Sequence, residues 1–246
     1  MPLPQGIVFY NGPSEIDGKP IIAVATGFKS KSDNPKTGPV IQTYILPKHA
    51  IPTQCRKDGT ITSVCGDCKM QKLKMCYTNM KHGSNQIFKS WKNGRYEKLS
   101  MHNYLNFWHK TVRMGSMGDP AAVPIEVWEK IMKIAGSVVG YSHQWRRCHQ
   151  KLQQWCMASV DTTKEQREAQ RMGWRTFRIR LPQESIQKNE FMCPASNEAG
   201  NKTTCNKCLG CGGHGSKAKR NVCIVVHGEK YKVKRFYRFK KVRVPV

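Results

Sequence analysis

The stretch VRMGSMGDPAAVPIEVWEKI, residues 112–131, contains one complete strand–loop–helix step. Thr111-Val112-Arg113-Met114 reads as a short strand and GSMGDP as a glycine loop. From Pro124 to Ile134 the chain reads as an amphipathic helix, with Pro at its start and apolar Val127, Trp128, Ile131 and Ile134 on one face. The step repeats downstream. Ser137–Tyr141 is a strand and Gln144–Trp155 a helix; Cys156–Val160 is the next strand, followed by a helix that Asp161-Thr162-Thr163 caps and that runs to Met172. Trp174–Ile179, Glu190–Cys193 and Asn221–His227 complete the strands. Short strands alternating with single helices imply parallel β/α units, so the fold class is α/β with a partial parallel (β/α) barrel.

Sites in such folds form at the C-terminal ends of strands. The residues expected there are polar: Gly118 and Asp119, Ser142 and His143, Ser159 and Asp161, Arg178 and Arg180, then Cys193 and His227. A reaction at this rim would draw on Arg113, Asp119, His143, Asp161 and Arg178, the charged groups binding substrate and His143 moving a proton.

Upstream, Gly6–Tyr10, Pro20–Ala25 and Ile41–Leu46 are three further strand candidates, and GFKSKSDNPKTG, from Gly27 to Gly38, reads as an exposed basic loop. The chain divides into an N-terminal β segment (1–54), a first Cys-rich region (55–110), the β/α core (111–192), a second Cys-rich loop (193–215) and a basic C-terminal β segment (216–246), together forming one compact domain.

Eight of the eleven cysteines form two groups of four, each with a C-x2-C pair: Cys55, Cys65, Cys68 and Cys76, then Cys193, Cys205, Cys208 and Cys211. MPLPQGIVFYNGPSEIDG lacks a charged segment followed by an apolar one, so no secretory signal is expected and the cysteines read as reduced metal ligands in a cytoplasmic protein. Cys205-x2-Cys208-x2-Cys211, with Cys193-Pro194 upstream, is the spacing of a loop around a [4Fe–4S] cluster, ahead of zinc. The first group fits a second iron–sulfur cluster or zinc, with His82 able to replace one ligand. Cys148, Cys156 and Cys223 have no partner at ligand spacing.

The 42 Lys and Arg outnumber 16 Asp and Glu, giving a net charge of +26 that favours polyanions and makes nucleic acid, DNA or RNA, the expected partner. The charge is dense in the tail: Lys217, Lys219, Arg220, Lys230, Lys232, Lys234, Arg235, Arg238, Lys240, Lys241 and Arg243, interleaved with Tyr231, Phe236, Tyr237 and Phe239. Alternation as in Lys232-Val233-Lys234 reads as an amphipathic strand. No run of 18 apolar residues is present, so no membrane partner is expected. There is no P-loop, G-x-S-x-G or H-E-x-x-H arrangement.

VRMGSMGDPAAVPIEVWEKI, VGYSHQWR, CMASVD and GWRTFRIR together are similar to a family of phage-encoded proteins, distantly similar to the phage gene-product-88-like proteins with their R-x4-GD segment, here Arg113 to Asp119. That resemblance supports the fold and metal reading, implies a place in the host cytoplasm and supplies no activity. The expected function, from cysteines and charge, is an iron–sulfur or zinc protein binding nucleic acid through its basic surface. The alternatives are an iron–sulfur or S-adenosylmethionine-dependent enzyme acting on nucleic acid or a nucleotide, and an inhibitor of a host nucleic-acid enzyme. A looser resemblance is to radical-SAM enzymes, partial barrels with an early Cys-rich loop and a glycine–acid loop after the next strand; it implies S-adenosylmethionine (SAM) as a cofactor, met by Gly115–Pro120. That family spaces its cysteines C-x3-C-x2-C and leaves one iron open. This chain has C-x2-C-x7-C, and Cys55 as a fourth thiolate would close the cluster to SAM.

Overall fold

The apolar runs between turn residues become strands because their β-branched side chains suit a pleated surface buried on both sides. In the computed structural model, which describes residues 2–29 and 36–243, ten strands form one sheet. They are β1 (Gly6–Pro13), β2 (Pro20–Thr26), β3 (Ile41–Pro47), β4 (Glu97–Lys98), β5 (Thr111–Met117), β6 (Ser137–Ser142), β7 (Met157–Val160), β8 (Thr176–Arg180), β9 (Glu190–Met192) and β10 (Asn221–Val225). Their order is β4-β1-β2-β3-β5-β6-β7-β8-β10-β9. Only the β1/β2 and β2/β3 pairs are antiparallel. The protein is thus mixed α/β with a mostly parallel sheet, and β4 and β9 are its edges.

Six strands, β3, β5, β6, β7, β8 and β10, lie side by side in chain order, all parallel. From β5 through β8 every crossover steps one place in the same direction, whereas the chain reaches β10 only after passing through β9 at the edge. Right-handed crossovers of that kind put the connecting helices on one face and leave the other open. The helices Ile125–Met132 and Thr163–Arg171 follow β5 and β7, where the sequence sets them. Thr162 caps the second, its side chain accepting the Glu165 amide at 3.1 Å.

Three sequence expectations change. The helix expected over 144–155 is only a 3-10 turn, Gln150–Gln154. Its first half is pulled out of helical form by side-chain bonds: Gln144 to the Cys65 carbonyl, the Trp145 indole to the Ser159 carbonyl, and Arg146 to Glu168. The basic C-terminal segment, read as a strand, is a helix over Lys230–Phe239. Local alternation at 232–234 misled; Val233, Phe236 and Tyr237 stand at i, i+3 and i+4, and Phe236 and Tyr237 are buried against a cluster holding Cys68, Met70, Met75 and Ile179. Of the basic loop expected over 27–38, residues 30–35 lie outside the described residues, as do 244–246 of the tail, while Thr37 is buried. Among the described residues no helix is long and apolar enough to cross a membrane.

Candidate functional site

The open face of the parallel run is lined by alternate residues of its strands. Arg113, Gly115 and Met117 of β5, Val139 and Tyr141 of β6, Phe177 and Ile179 of β8 and Ile224 of β10 border one cavity of about 310 Å³. The intervening residues face the other way. There Gly140 approaches Cys156 and Met114 so closely that a Cβ would lie 2.7 Å from the Cys156 sulfur.

At the strand ends, Asp119 ties three segments together. Its Oδ1 accepts the Ser142 hydroxyl at 2.8 Å and the Ala121 amide at 3.0 Å; its Oδ2 accepts the amides of His143 at 2.6 Å and Gln144 at 3.3 Å. Its own amide donates to the Val64 carbonyl at 2.6 Å, in the first Cys-rich region. A carboxylate has about four acceptor sites, and all are filled. Asp119 is therefore a brace, with no lone pair left for a substrate. The loop before it needs glycine: Gly115 and Gly118 have φ of 67° and 79°, and a Cβ on Gly118 would sit 2.5 Å from the Ile45 carbonyl oxygen.

The first cysteine group is divided. Cys65, Cys68 and Cys76 line the cavity, opposite the Gly115–Asp119 loop. Cys55 stands apart, buried, its thiol 3.3 Å from the Ala50 carbonyl and 3.5 Å from His49 Nε2. His82 lies on an outer groove. The side chain of His143 bonds to Cys68; burial opposes its charged form, but the Cys68 thiolate and the carboxylates nearby outweigh that and lift its pKa to about 10. Burial, with the other two thiols close by, pushes Cys65 well up.

The second group is intact. Cys193, Cys205, Cys208 and Cys211 line one small apolar cavity with Val139, Phe191, Leu209 and Val222. Burial raises the Cys193 thiol to about 11 and pushes Cys211 up as well, despite its hydrogen bond with Tyr141. Thiols so placed ionise readily only when a cation joins them. The gap between them is about 20 Å³, close to one water, so a cubane would fit only if the short turn Cys205–Cys208 spread. Among the described residues no group of Cys, His, Asp and Glu stands at the spacing that holds a single metal ion. A cubane, with each thiolate on a different iron, holds its ligands farther apart than one ion does.

Arg175 organises this loop. Its buried guanidinium donates to the carbonyls of Gly213 at 2.6 Å, Gly210 at 2.9 Å and Arg220 at 2.6 Å. The loop packs so tightly that a Cβ on Gly213, φ 57°, would lie 2.3 Å from the Gln153 carbonyl oxygen. Cys193 and Cys205 also border the 310 Å³ cavity, so the two cysteine sets face each other across it.

Of the residues expected from sequence at the rim, Arg113, Gly118, Asp119, His143, Ser159, Cys193 and His227 line the cavity. Asp161 is buried beside His143 and Glu165, off the cavity lining, with Oδ1 lacking a hydrogen-bond partner. Arg178 is removed from the site. On a strand whose side chains alternate, Phe177 and Ile179 take the cavity face and Arg178 the other, where it is fully buried in a bidentate pair with Glu190 at 2.9 and 2.6 Å. Arg180 lies on that face too, donating to carbonyls at 181, 182 and 184. The expected nucleic-acid residues scatter. Lys232 pairs with Glu229, Lys240 with Glu184, and Arg220 with the Glu190 carbonyl. Lys217, Lys219, Lys230, Lys234, Arg238, Lys241 and Arg243 are exposed. Sequence reasoning missed Tyr141, Tyr77 and Arg175; strand alternation marks the first, and nothing marks the other two. No family model, curated protein or solved structure matches the chain.

Proposed function

We propose that this chain is an iron–sulfur enzyme of radical-SAM-like architecture, its six parallel strands curving as a partial barrel around the 310 Å³ cavity. The observation that carries the reading is the separation of Cys55 from Cys65, Cys68 and Cys76. Three thiolates would hold one cluster and four, Cys193, Cys205, Cys208 and Cys211, another. A cubane on three thiolates keeps one iron open, and that iron supplies a binding position for the amino and carboxylate groups of SAM and an electron for its sulfonium.

The chain's own residues fit that chemistry. The Gly115–Asp119 loop lines the same cavity as the three thiols, and its glycines let it fold tightly against Ile45 and Pro120 and hold that wall in place. Arg113 offers a cation to an anionic ligand group. Val139, Tyr141, Phe177, Ile179 and Ile224 give the cavity an apolar wall. Although burial opposes its charge, His143 stands beside Cys68 with its pKa lifted by that neighbour, and Asp119 holds the His143 backbone in place. Charge of +26 supports nucleic acid or a nucleotide as the substrate.

The test is electron paramagnetic resonance of the reduced, cluster-loaded protein with and without SAM. The expected result is a SAM-dependent change in one of two signals, lost in Cys76→Ser but kept in Cys208→Ser. A spectrum indifferent to SAM overturns the reading and leaves a protein whose clusters only shape its loops.

A further inference from the structure

We propose that the groove beside the cavity, lined by Arg56, Lys57, Lys74 and Lys81, is the track of a single-stranded nucleic acid that delivers one nucleotide to the cavity through Tyr77. This substrate assignment rests on the reading above that the cavity is the reaction site. The groove has a volume of about 810 Å³ and runs between the first Cys-rich region and the C-terminal helix. None of those four cations makes an ion pair among the described residues. The groove's single acid, Glu229, is neutralised by Lys232 at 2.6 Å. Four uncompensated cations in a groove are a phosphate-binding surface.

The groove also carries what bases require. Tyr231 is half exposed on its wall, and Tyr77 lies at its inner end. Tyr77 and Thr78 border both the groove and the 310 Å³ cavity, so the two adjoin at these residues. The Tyr77 ring stacks on His227 with centroids 5.0 Å apart and planes 24° apart, and His227 lines the cavity. Gly228 keeps the passage: its φ is 105°, and a Cβ there would press within 3.3 Å of the Tyr77 ring. Cations along the approach and a stacked aromatic pair at the entrance suit a flexible strand with exposed bases. A duplex hides those faces.

The experiment is fluorescence anisotropy on the cluster-loaded full chain. The probes are labelled mixed-sequence RNA and DNA oligomers of about 12 nucleotides, each single-stranded and annealed to its complement. Single strands are expected to bind with a slope of log affinity against log salt near −2.8, about 0.7 for each of four phosphates. The triple variant Lys57→Glu, Lys74→Glu, Lys81→Glu should lose at least about tenfold, and Tyr77→Ala a similar amount that Tyr77→Phe restores. Lys217→Glu with Lys219→Glu, outside the groove, should stay within about twofold. The tighter of the RNA and DNA arms identifies the source of the strand. Equal losses in both charge variants, duplex binding as tight as single-strand binding, or displacement by polyglutamate at equal charge overturns the proposal. The readout needs no SAM or reductant. Binding that persists without a SAM response sinks the enzyme reading alone, and a SAM response without binding sinks this one alone.

Discussion

Replacing Arg175 by Met keeps much of the side chain's volume and removes its charge and all its donors. Three charge-assisted hydrogen bonds disappear, at 2.6, 2.9 and 2.6 Å, to the carbonyls of residues 213, 210 and 220. At about 1.5–3 kcal/mol each, the gross loss is roughly 5–9 kcal/mol. Burying a guanidinium costs several kcal/mol, and that cost disappears with it, leaving a net loss of about 3 kcal/mol. The loss is local, because two of the acceptors, Gly210 and Gly213, belong to the second cysteine loop and the third, Arg220, follows it directly before β10. Opening of that loop should rise about 100-fold, at about 1.4 kcal/mol per factor of ten. One amide reports it directly: Gly140 donates to the Cys211 carbonyl at 3.0 Å. Hydrogen exchange at Gly140 should accelerate by about that factor, and, on the proposed two-cluster reading, a chelator should strip metal from this loop before metal at Cys65, Cys68 and Cys76. Unchanged exchange at Gly140 and unchanged metal release would refute the reasoning.

Two other perturbations test separate parts of the fold. Glu190→Gln leaves Arg178 buried with only the longer Glu184 contact, 3.9 Å, as counter-charge and should cost about 3 kcal/mol in urea unfolding at neutral pH. Burial raises the Glu190 carboxyl, but the Arg178 bonds more than offset it and hold it below its ordinary 4.5. Its contribution is therefore present above pH 4.5 and lost as pH falls through the lower folded value, so the variant should show a shallower acid dependence. Gly118→Ala combines φ 79° with a Cβ 2.5 Å from the Ile45 carbonyl; a loss of about 2 kcal/mol or more is expected in thermal melts, and a neutral result would mean the loop has room that its geometry denies.

Much of this was legible in the chain. Turn-bounded apolar runs located nine of the ten strands; β4, two exposed charged residues at an edge, has no apolar signal to read. The parallel run from β5 to β8 follows from the alternation read in the chain, though a 3-10 turn replaces one helix; β3 joins it from what reads as a separate N-terminal segment, and β10 joins it after the second cysteine loop. The C-terminal helix was hidden because three residues of local alternation imitate a strand, and its true period shows only when Val233, Phe236 and Tyr237 are taken together. Spacing alone grouped Cys55 with the other three thiols. What parts them is the chain turning back after Cys55, whose carbonyl accepts the Ile61 amide at 2.9 Å, a tertiary detail no spacing rule contains. The Arg178 side chain was assigned to a rim because it ends a strand. Alternation with Phe177 and Ile179 puts it on the opposite face, and its partner Glu190 lies two strands away.

The central claim is that Cys65, Cys68 and Cys76 act as three ligands without Cys55. Iron and acid-labile sulfide per chain, measured on anaerobically purified Cys55→Ser and on Cys65→Ser, test it most directly. The account predicts about eight irons in Cys55→Ser, four for each of two cubanes, and about four in Cys65→Ser. Loss of half the iron in Cys55→Ser, or zinc in place of iron in both, would contradict it.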